Sequence, residues 1–463
     1  MIADTDTLES MCELVIDCPH FTPKWTDSGY IVLRNQNIKN GVLDLSSPSF
    51  TNKEDFKRRN KRATPKAGDI VFTREAPMGE VCMIPDGLEC CLGQRQVLLR
   101  PKNDVCGQYL FWALQSPFVQ HQISWNEGTG STVSNVRIPV LKALNIPRHP
   151  KKEDEIAKLL SDLADKIELN RQTNQTLENI AQAIFKSWFV DFEPTRAKVA
   201  ARENGQDLEL AAMAAIACKE VDELDALSGD QLERLKSIAE LFPDRFEDSE
   251  LGEIPIGWRT ENLSDEIDIL NGFAFKSKDY SEKGTFVLRT KNFNVSNETE
   301  RLHDDVFLPE SFLISHEKYM AKPFDYHLIM VGASVGNRGI IYPCHLPALR
   351  NQNMWCFRAK RNSFVSQVYT KYLLDFLVVK SVGLASGSAR EFFRKGDFGS
   401  QKICIGSEEI QAAFYRVVMP IFEKKASLVE ENQILETLRN SLLPKLLSGE
   451  IDLVEQEKAV VNG

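Results

Sequence analysis

Residues 155–190 read EIAKLLSDLADKIELNRQTNQTLENIAQAIFKSWFV. Leu160, Ile167, Asn174, Ala181 and Trp188 recur every seven residues, and Ile156, Leu163, Asn170, Leu177 and Ile184 form a second row four residues earlier. Two rows over five repeats predict a long helix with a coiled-coil seam, interrupted at mid-length by Asn170 and Asn174. A second seam lies near the other end of the chain. Phe414, Ile421, Leu428, Leu435 and Leu442 form one row, and Ile410, Val417, Lys424, Glu431 and Leu438 the other. Matching seams with matching polar middles predict that the two helices pair. The chain must leave one helix, build a domain and return, so the pair is expected to be antiparallel, with the polar layers fixing register. Pro420 is expected to kink the second helix or end its first turn. Ser448-Gly449 should stop it, and a frayed polar tail should follow.

What lies between the helices repeats what lies before them, at an offset near 257. Val32-Leu33-Arg34-Asn35-Gln36-Asn37 is echoed by Val287-Leu288-Arg289-Thr290-Lys291-Asn292. Asp69-Ile70-Val71-Phe72, running on to Ala76-Pro77-Met78-Gly79, is echoed by His327-Leu328-Ile329-Met330, running on to Ala333-Ser334-Val335-Gly336. Gln94-Arg95-Gln96 falls opposite Asn351-Gln352-Asn353, and Gly130-Ser131 opposite Gly387-Ser388. Four echoes in one order mean a duplicated domain, and two long copies are too few and too large for a solenoid. Each copy begins with short apolar runs between turn residues, such as 30–33, 70–72, 81–84 and 97–99, which predict strands. A helix (107–114 or 368–379), a Gly/Ser loop and the long helix follow. The fold class expected is α+β: two strand-rich α/β domains in pseudo-twofold duplication, separated by two long helices in an antiparallel coiled coil. The boundaries are 1–150 and 254–407 for the copies, 151–192 and 408–449 for the long helices, 193–253 for a helical connector and 450–463 for the tail.

The 463 residues are 43% apolar and 26% charged, enough for two to four packed domains. No run reaches the roughly 18–20 apolar residues of a membrane span, and the acidic N-terminus lacks a signal-peptide pattern, so a cytoplasmic protein is expected. Ten cysteines without a Cys-x-x-Cys pair and seven scattered histidines suggest buried thiols rather than a metal site. The net charge of −10 is unevenly spread. Residues 22–150 carry 17 Lys/Arg against 11 Asp/Glu, and residues 254–407 carry 20 against 16. The connector, counted over 191–253, has 7 against 17, and is either solvated or a surface for a basic partner. It should contain helices near 208–218 and 231–241, the latter capped around Ser228.

Catalytic motifs are missing: no phosphate loop, no Asn/Asp-Pro-Pro-aromatic tetrapeptide, no Gly-x-Ser-x-Gly and no His-Glu-x-x-His. No catalytic residue and no bound cofactor or metal is therefore expected. Nucleic-acid chemistry is present instead. Lys53, Lys57, Arg58, Arg59, Lys61, Arg62 and Lys66 crowd into fourteen residues, a pattern suited to phosphates. The second copy disperses its charge over Lys291, Arg338, Arg350, Arg358, Lys360, Arg361, Arg390, Arg394 and Lys395. Gln94, Arg95 and Gln96, with Asn351, Gln352 and Asn353 at matching positions, are of the types that bond adenine or guanine edges. Arg74, Asn292 and Asn337 complete the candidate DNA-binding set.

These residues resemble the specificity subunit of Type I restriction–modification enzymes. The stretch Asn179-Ile180-Ala181-Gln182-Ala183-Ile184-Phe185-Lys186-Ser187-Trp188-Phe189-Val190-Asp191-Phe192, with Ile146-Pro147 and Glu155-Ile156 ahead of it, is similar to that family's central conserved region. Residues 435–451, LETLRNSLLPKLLSGEI, are similar to its distal one, and Gly252-Glu253-Ile254-Pro255-Ile256-Gly257-Trp258 resembles the entry to a target recognition domain. The resemblance implies that each copy is a target recognition domain reading one half of a split double-stranded DNA site. It implies that the helices space the domains and dock two methyltransferase subunits, and that a restriction subunit can join. S-adenosylmethionine, ATP and magnesium would belong to those partners. At 1.5 Å per residue, positions 156–190 would span about 52 Å, enough to set two domains one DNA turn apart. Ile403-Cys404-Ile405 and Ala389-Arg390-Glu391 depart from the family's usual Ile-Pro-x-Pro segment and Gly-Ser-Thr-Val-like loop. The alternatives are a self-contained methyltransferase or nuclease with unfamiliar motifs, and a coiled-coil adaptor without a nucleic-acid role.

Overall fold

In the computed structural model, which describes residues 4–125, 135–294, 296–332, 334–384 and 395–453, the chain divides into two compact units. One comprises Met1–Leu169 with Asn432–Gly463, the other Asn170–Glu431. The division cuts both long helices at mid-length, so each unit holds one half of each.

In the first unit the apolar run Val97-Leu98-Leu99 decides the layering. A strand turns successive side chains to opposite faces. Val97 and Leu99 enter one core with Ile70, Phe72 and Leu110, while Leu98 enters a second with Val71, Cys82 and Leu33. The central sheet is therefore apolar on both faces, and each such side chain contributes about 1.5–3 kcal/mol on burial. Its strand order is Cys12–Asp17, Gln96–Pro101, Ile70–Thr73 and Val81–Met83, all antiparallel. A second sheet sets Cys90–Leu92 parallel to Tyr30–Leu33, followed by Ser49–Thr51 and Trp25–Thr26. Helix Gly107–Gln115 covers the first core through Tyr109, Leu110 and Ala113.

The second unit repeats this plan. Ile267–Asn271, Met354–Ala359, Tyr326–Ile329 and Arg338–Ile340 take the same order and directions. Ala348–Arg350 lies parallel to Thr285–Leu288, as Cys90–Leu92 does to Tyr30–Leu33. Asn37 and Asn292 fill the same buried place. Each accepts the backbone N–H three residues back, from Arg34 or Arg289, at 2.9 Å, and each donates to a carbonyl beyond, on Asp44 or Glu300.

The long helices are Glu153–Phe189 and Glu408–Ser448. In the first unit Leu160 packs with Leu443, Leu446 and Leu447, and Asn432 Nδ2 donates to the Ile167 carbonyl at 3.3 Å. In the second, Asn170 Nδ2 meets Glu431 at 3.0 Å, and the Phe189 and Phe414 rings lie 5.2 Å apart. Partner numbers fall as the first helix advances, so the pairing is antiparallel in each unit. Leu163, Leu177, Ile184, Val417, Ile421, Leu435 and Leu442 are half-buried at its edge.

Two expectations need correction. Lys424 is exposed and Leu438 is 42% exposed; the inward row runs Ile410, Phe414, Val418, Phe422, Lys425, Leu428 and Asn432. Lys425, 2% exposed, carries the polar middle through Glu178, which it meets at 2.6 Å. Nor does Pro420 end a turn: the helix is continuous through it, with the ring on the exposed side. No described helix is long and apolar enough to cross a membrane.

Candidate nucleic-acid interface

Helix Lys53–Arg59 is short and firmly started: Asn52 caps it by accepting the Asp55 N–H at 2.9 Å. Its outer side presents Lys53, Lys57 and Arg58, and the chain beyond presents Lys61, Arg62 and Lys66. Arg59 points the other way. Only 3% exposed, its guanidinium donates to the carbonyls of Leu92 at 2.7 Å, Phe21 at 2.6 Å and Pro19 at 3.3 Å. Desolvation presses its pKa down from the usual arginine value. Arg59 is thus a clamp and not the phosphate contact expected. With it, Arg58 lies 4.2 Å over the Phe21 ring and the Lys24 N–H donates to Asp55 at 2.7 Å, so the basic helix holds the segment around Phe21–Trp25 in place.

That segment forms one wall of a cavity of about 310 Å³, lined also by Arg34, Gln36, Gln94 and Arg95. Trp25 is 47% exposed, with the Arg34 guanidinium 5.6 Å from its ring centre. Opposite stands the turn Gly93-Gln94-Arg95. A Cβ on Gly93 would meet the Leu33 carbonyl oxygen at 2.1 Å, so only glycine permits this approach of the two strands. Arg95 adopts φ +67°, which turns it outward; it pairs with Glu75 at 3.1 Å and stays 53% exposed. Gln94 is exposed and donates to Thr22 Oγ1 at 3.2 Å. Gln96, expected beside them, is fully buried and accepts the Gly93 N–H at 2.9 Å. Arg74 is also occupied, by the Asp17 carboxylate at 3.0 Å and the Val136 carbonyl at 2.9 Å.

The second unit presents the same turn, one residue out of the register expected from the sequence: Gly93-Gln94-Arg95 corresponds to Asn351-Gln352-Asn353, so the glutamine is shared and Asn353 stands where Arg95 does. Asn353 takes φ +71° where Arg95 takes +67°, and both Gln352 and Asn353 are exposed. Asn351 is half-buried and accepts the Gln352 N–H at 2.8 Å. Lys291 is exposed and paired with Asp304. Others expected here serve the interior. Arg350 is fully buried, donating to the Lys318 carbonyl at 2.9 Å and to that of Met320. Asn292 is fully buried, and Asn337 donates to the Phe293 carbonyl at 3.2 Å. Arg338 binds Asp375 at 2.7 Å in a network that adds Tyr326, Lys371, Glu178 and Lys425. Burial, aided by Lys425, lowers the Lys371 pKa to about 8. Burial opposes the charge on Asp375, yet Lys371 and Arg338 hold its pKa below the usual value. Arg390 and Arg394, and both Gly-Ser loops, lie outside the described residues.

Asp325, His327 and Cys356 bring ligand atoms within 4.8 Å of one another. The Asp325 carboxylate is already taken by Arg358, at 2.8 Å on one oxygen. Two neighbouring guanidiniums, Arg350 and Arg358, also press the His327 pKa down, adding to burial. A cation is poorly served there.

The chain is 31% identical over 431 residues to the Type I restriction enzyme HindI specificity subunit of Haemophilus influenzae, covering 87% of this chain and 90% of that one. It belongs to the family of Type I restriction–modification specificity subunits. The family described as Type I restriction modification DNA specificity domain matches residues 5–179. The MjaIX specificity subunit of Methanocaldococcus jannaschii is 25% identical over 404 residues, covering 85% of this chain and 80% of that one. A crystal structure of the Type-I restriction-modification system S subunit from M. genitalium has the same fold, with a TM-score of 0.50 and 16% identity over 97% of this chain and 96% of that one.

For this specificity subunit, sequence reasoning did not bring Trp25, Arg34 and Gln36 together with Gln94 and Arg95, beside which they line the cavity. Arg34 and Gln36 lie inside the repeated segment from Val32 to Asn37, whose recurrence reads as framework alone. Of its polar members only Asn37 is buried; Arg34 and Gln36 line the cavity.

Proposed function

We propose that this specificity subunit reads an asymmetric, two-part DNA target, one part with each unit. The observation that carries the reading is the shared turn: equivalent backbone at Arg95 and Asn353 presents Gln94 and Arg95 in one unit and Gln352 and Asn353 in the other. Arginine suits guanine O6 and N7, and asparagine or glutamine suits adenine N6 and N7, so one scaffold would read two unlike half-sites. Lys53, Lys57, Arg58, Lys61 and Arg62 supply phosphate contacts beside the first turn. These set position and affinity without sequence preference.

The subunit is a recognition component and not an enzyme in its own right. Two methyltransferase subunits are its proposed partners, docked on the long helices and bringing S-adenosylmethionine; a restriction subunit would bring ATP and magnesium. Selection of bound duplexes from a random pool by the subunit assembled with its methyltransferases tests the reading. Two unlike blocks at a fixed spacing are expected. A single contiguous block, or no enrichment, would reject it.

A further inference from the structure

The acidic connector folds around an apolar centre of its own. Asp207 starts helix Leu208–Ala217 by accepting the N–H groups of Glu209 and Leu210, both at 2.9 Å, and Cys218 ends it at φ +51°. A 3-10 turn, Val221–Ala226, and helix Gly229–Ala239 follow, and Ala212, Met213, Ala214, Leu224 and Ala239 form the buried centre. Beside this centre lies an open groove of about 900 Å³. Its floor is Leu210, Met213, Val221, Leu224 and Leu232, and Leu210 and Val221 stand 40% and 48% exposed. Its rim carries Asp207, Asp222, Asp225 and Glu233, with Glu209 already paired to Lys198 at 2.9 Å, against one lining cation, Lys236.

We propose that this groove receives a basic amphipathic helix from a partner protein. An apolar floor between acidic walls complements a helix with apolar residues at i, i+3/i+4 and i+7 and Lys/Arg along its flanks. With 17 carboxylates to 7 Lys/Arg over residues 191–253, the surface repels nucleic acid and anionic lipid. A second copy of this chain offers a poor occupant in its most basic helix, Lys53–Arg59. Phe56 there already stacks on Tyr30 at 4.2 Å, and Arg59 is buried. The proposal stands apart from DNA reading, because none of these residues belongs to the candidate interface.

The test uses the full chain and a fluorescent peptide of about five helical turns, leucine on one face and lysine on the other. A control peptide has the same composition in an order that forms no apolar face. At about 150 mM salt the amphipathic peptide should bind at least about tenfold tighter than the control. Two variants, Leu210→Ser with Val221→Ser, and Asp222→Lys with Asp225→Lys and Glu233→Lys, should each lose about tenfold in affinity while melting like the parent. Equal binding of both peptides, or a loss only with the charge reversals, would reduce the effect to unspecific attraction and overturn the proposal. Self-association of the free chain that the Leu210→Ser/Val221→Ser variant abolishes would assign the groove to a second copy, and would also overturn it.

Discussion

Arg95→Asn gives the first unit the turn residue of the second, and the structure bounds both its costs and its effect. The position has φ +67°, and asparagine already occupies the equivalent φ of +71° at Asn353, so the backbone should accept it. The ion pair it removes, Arg95 with Glu75, is half exposed and is worth less than about 1 kcal/mol. Folding should therefore change little. A bidentate arginine–guanine contact, by contrast, carries about 1–3 kcal/mol of discrimination, or roughly 5- to 150-fold in affinity. The assay is equilibrium binding of the assembled complex to the selected target and to duplexes changed at one base pair each. Discrimination should collapse at a single guanine of one half-site, with a shift towards adenine there, and the other half-site should read as before. Uniform weakening at every position, or no change at all, would refute the assignment of Arg95 as a reader.

Replacing Lys57, Arg58, Lys61 and Arg62 together by alanine should weaken binding to all sequences alike and lower the salt slope by up to about 0.9 for each phosphate no longer neutralised; an unchanged slope would make the cluster a solvated face. Arg59→Met should act on folding instead. Three carbonyls lose a charged donor, costing about 3 kcal/mol or more in urea unfolding, and a loss below about 1 kcal/mol would contradict the clamp. Lys425→Met leaves the half-buried Glu178 with Lys371 and, at 3.4 Å, the Tyr372 hydroxyl, and should cost about 3 kcal/mol, whereas the double change with Glu178→Met should cost less than the two singles summed. Burial lowers the pKa of His327 from 6.5 to about 3 and of His345 from 6.5 to about 4, and neither ring nitrogen of either has a hydrogen-bond partner among the described residues. Both are neutral in the fold and take up protons on unfolding. Stability is full above pH 6.5 and falls as pH drops towards 4 and then 3, His345 alone contributing roughly 3 kcal/mol. His345→Phe should flatten the limb between 6.5 and 4; an identical slope would refute its origin.

Much of this was legible in the sequence because the signals were periodic or repeated. The echo of Val32–Asn37 in Val287–Asn292 announced two like domains, and both segments proved to hold the same buried asparagine. The seam of the first helix was legible nearly position by position. In the second, the inward row passes from Ile410 and Phe414 to Val418, Lys425 and Asn432, one residue beyond Val417, Lys424 and Glu431. A straight helix turns every 3.6 residues, and a strict heptad counted from one end slips by about 20° per repeat, enough to miss the inward lysine. The interface was less legible. Arg59, Gln96, Asn292 and Arg350 have the right chemistry for nucleic acid, yet a buried guanidinium or amide satisfying backbone carbonyls or N–H groups has the same letter as an exposed one. Only the left-handed turns, set by packing such as that at Gly93, separate Arg95 and Asn353 from their buried neighbours.

Mapping methylated bases across a genome modified by the complex containing this subunit tests most directly whether two domains of one design read two unlike DNA half-sites. One recurring motif is predicted: two different short blocks around a fixed gap of unspecified bases. A palindromic motif, or one uninterrupted block, would contradict it.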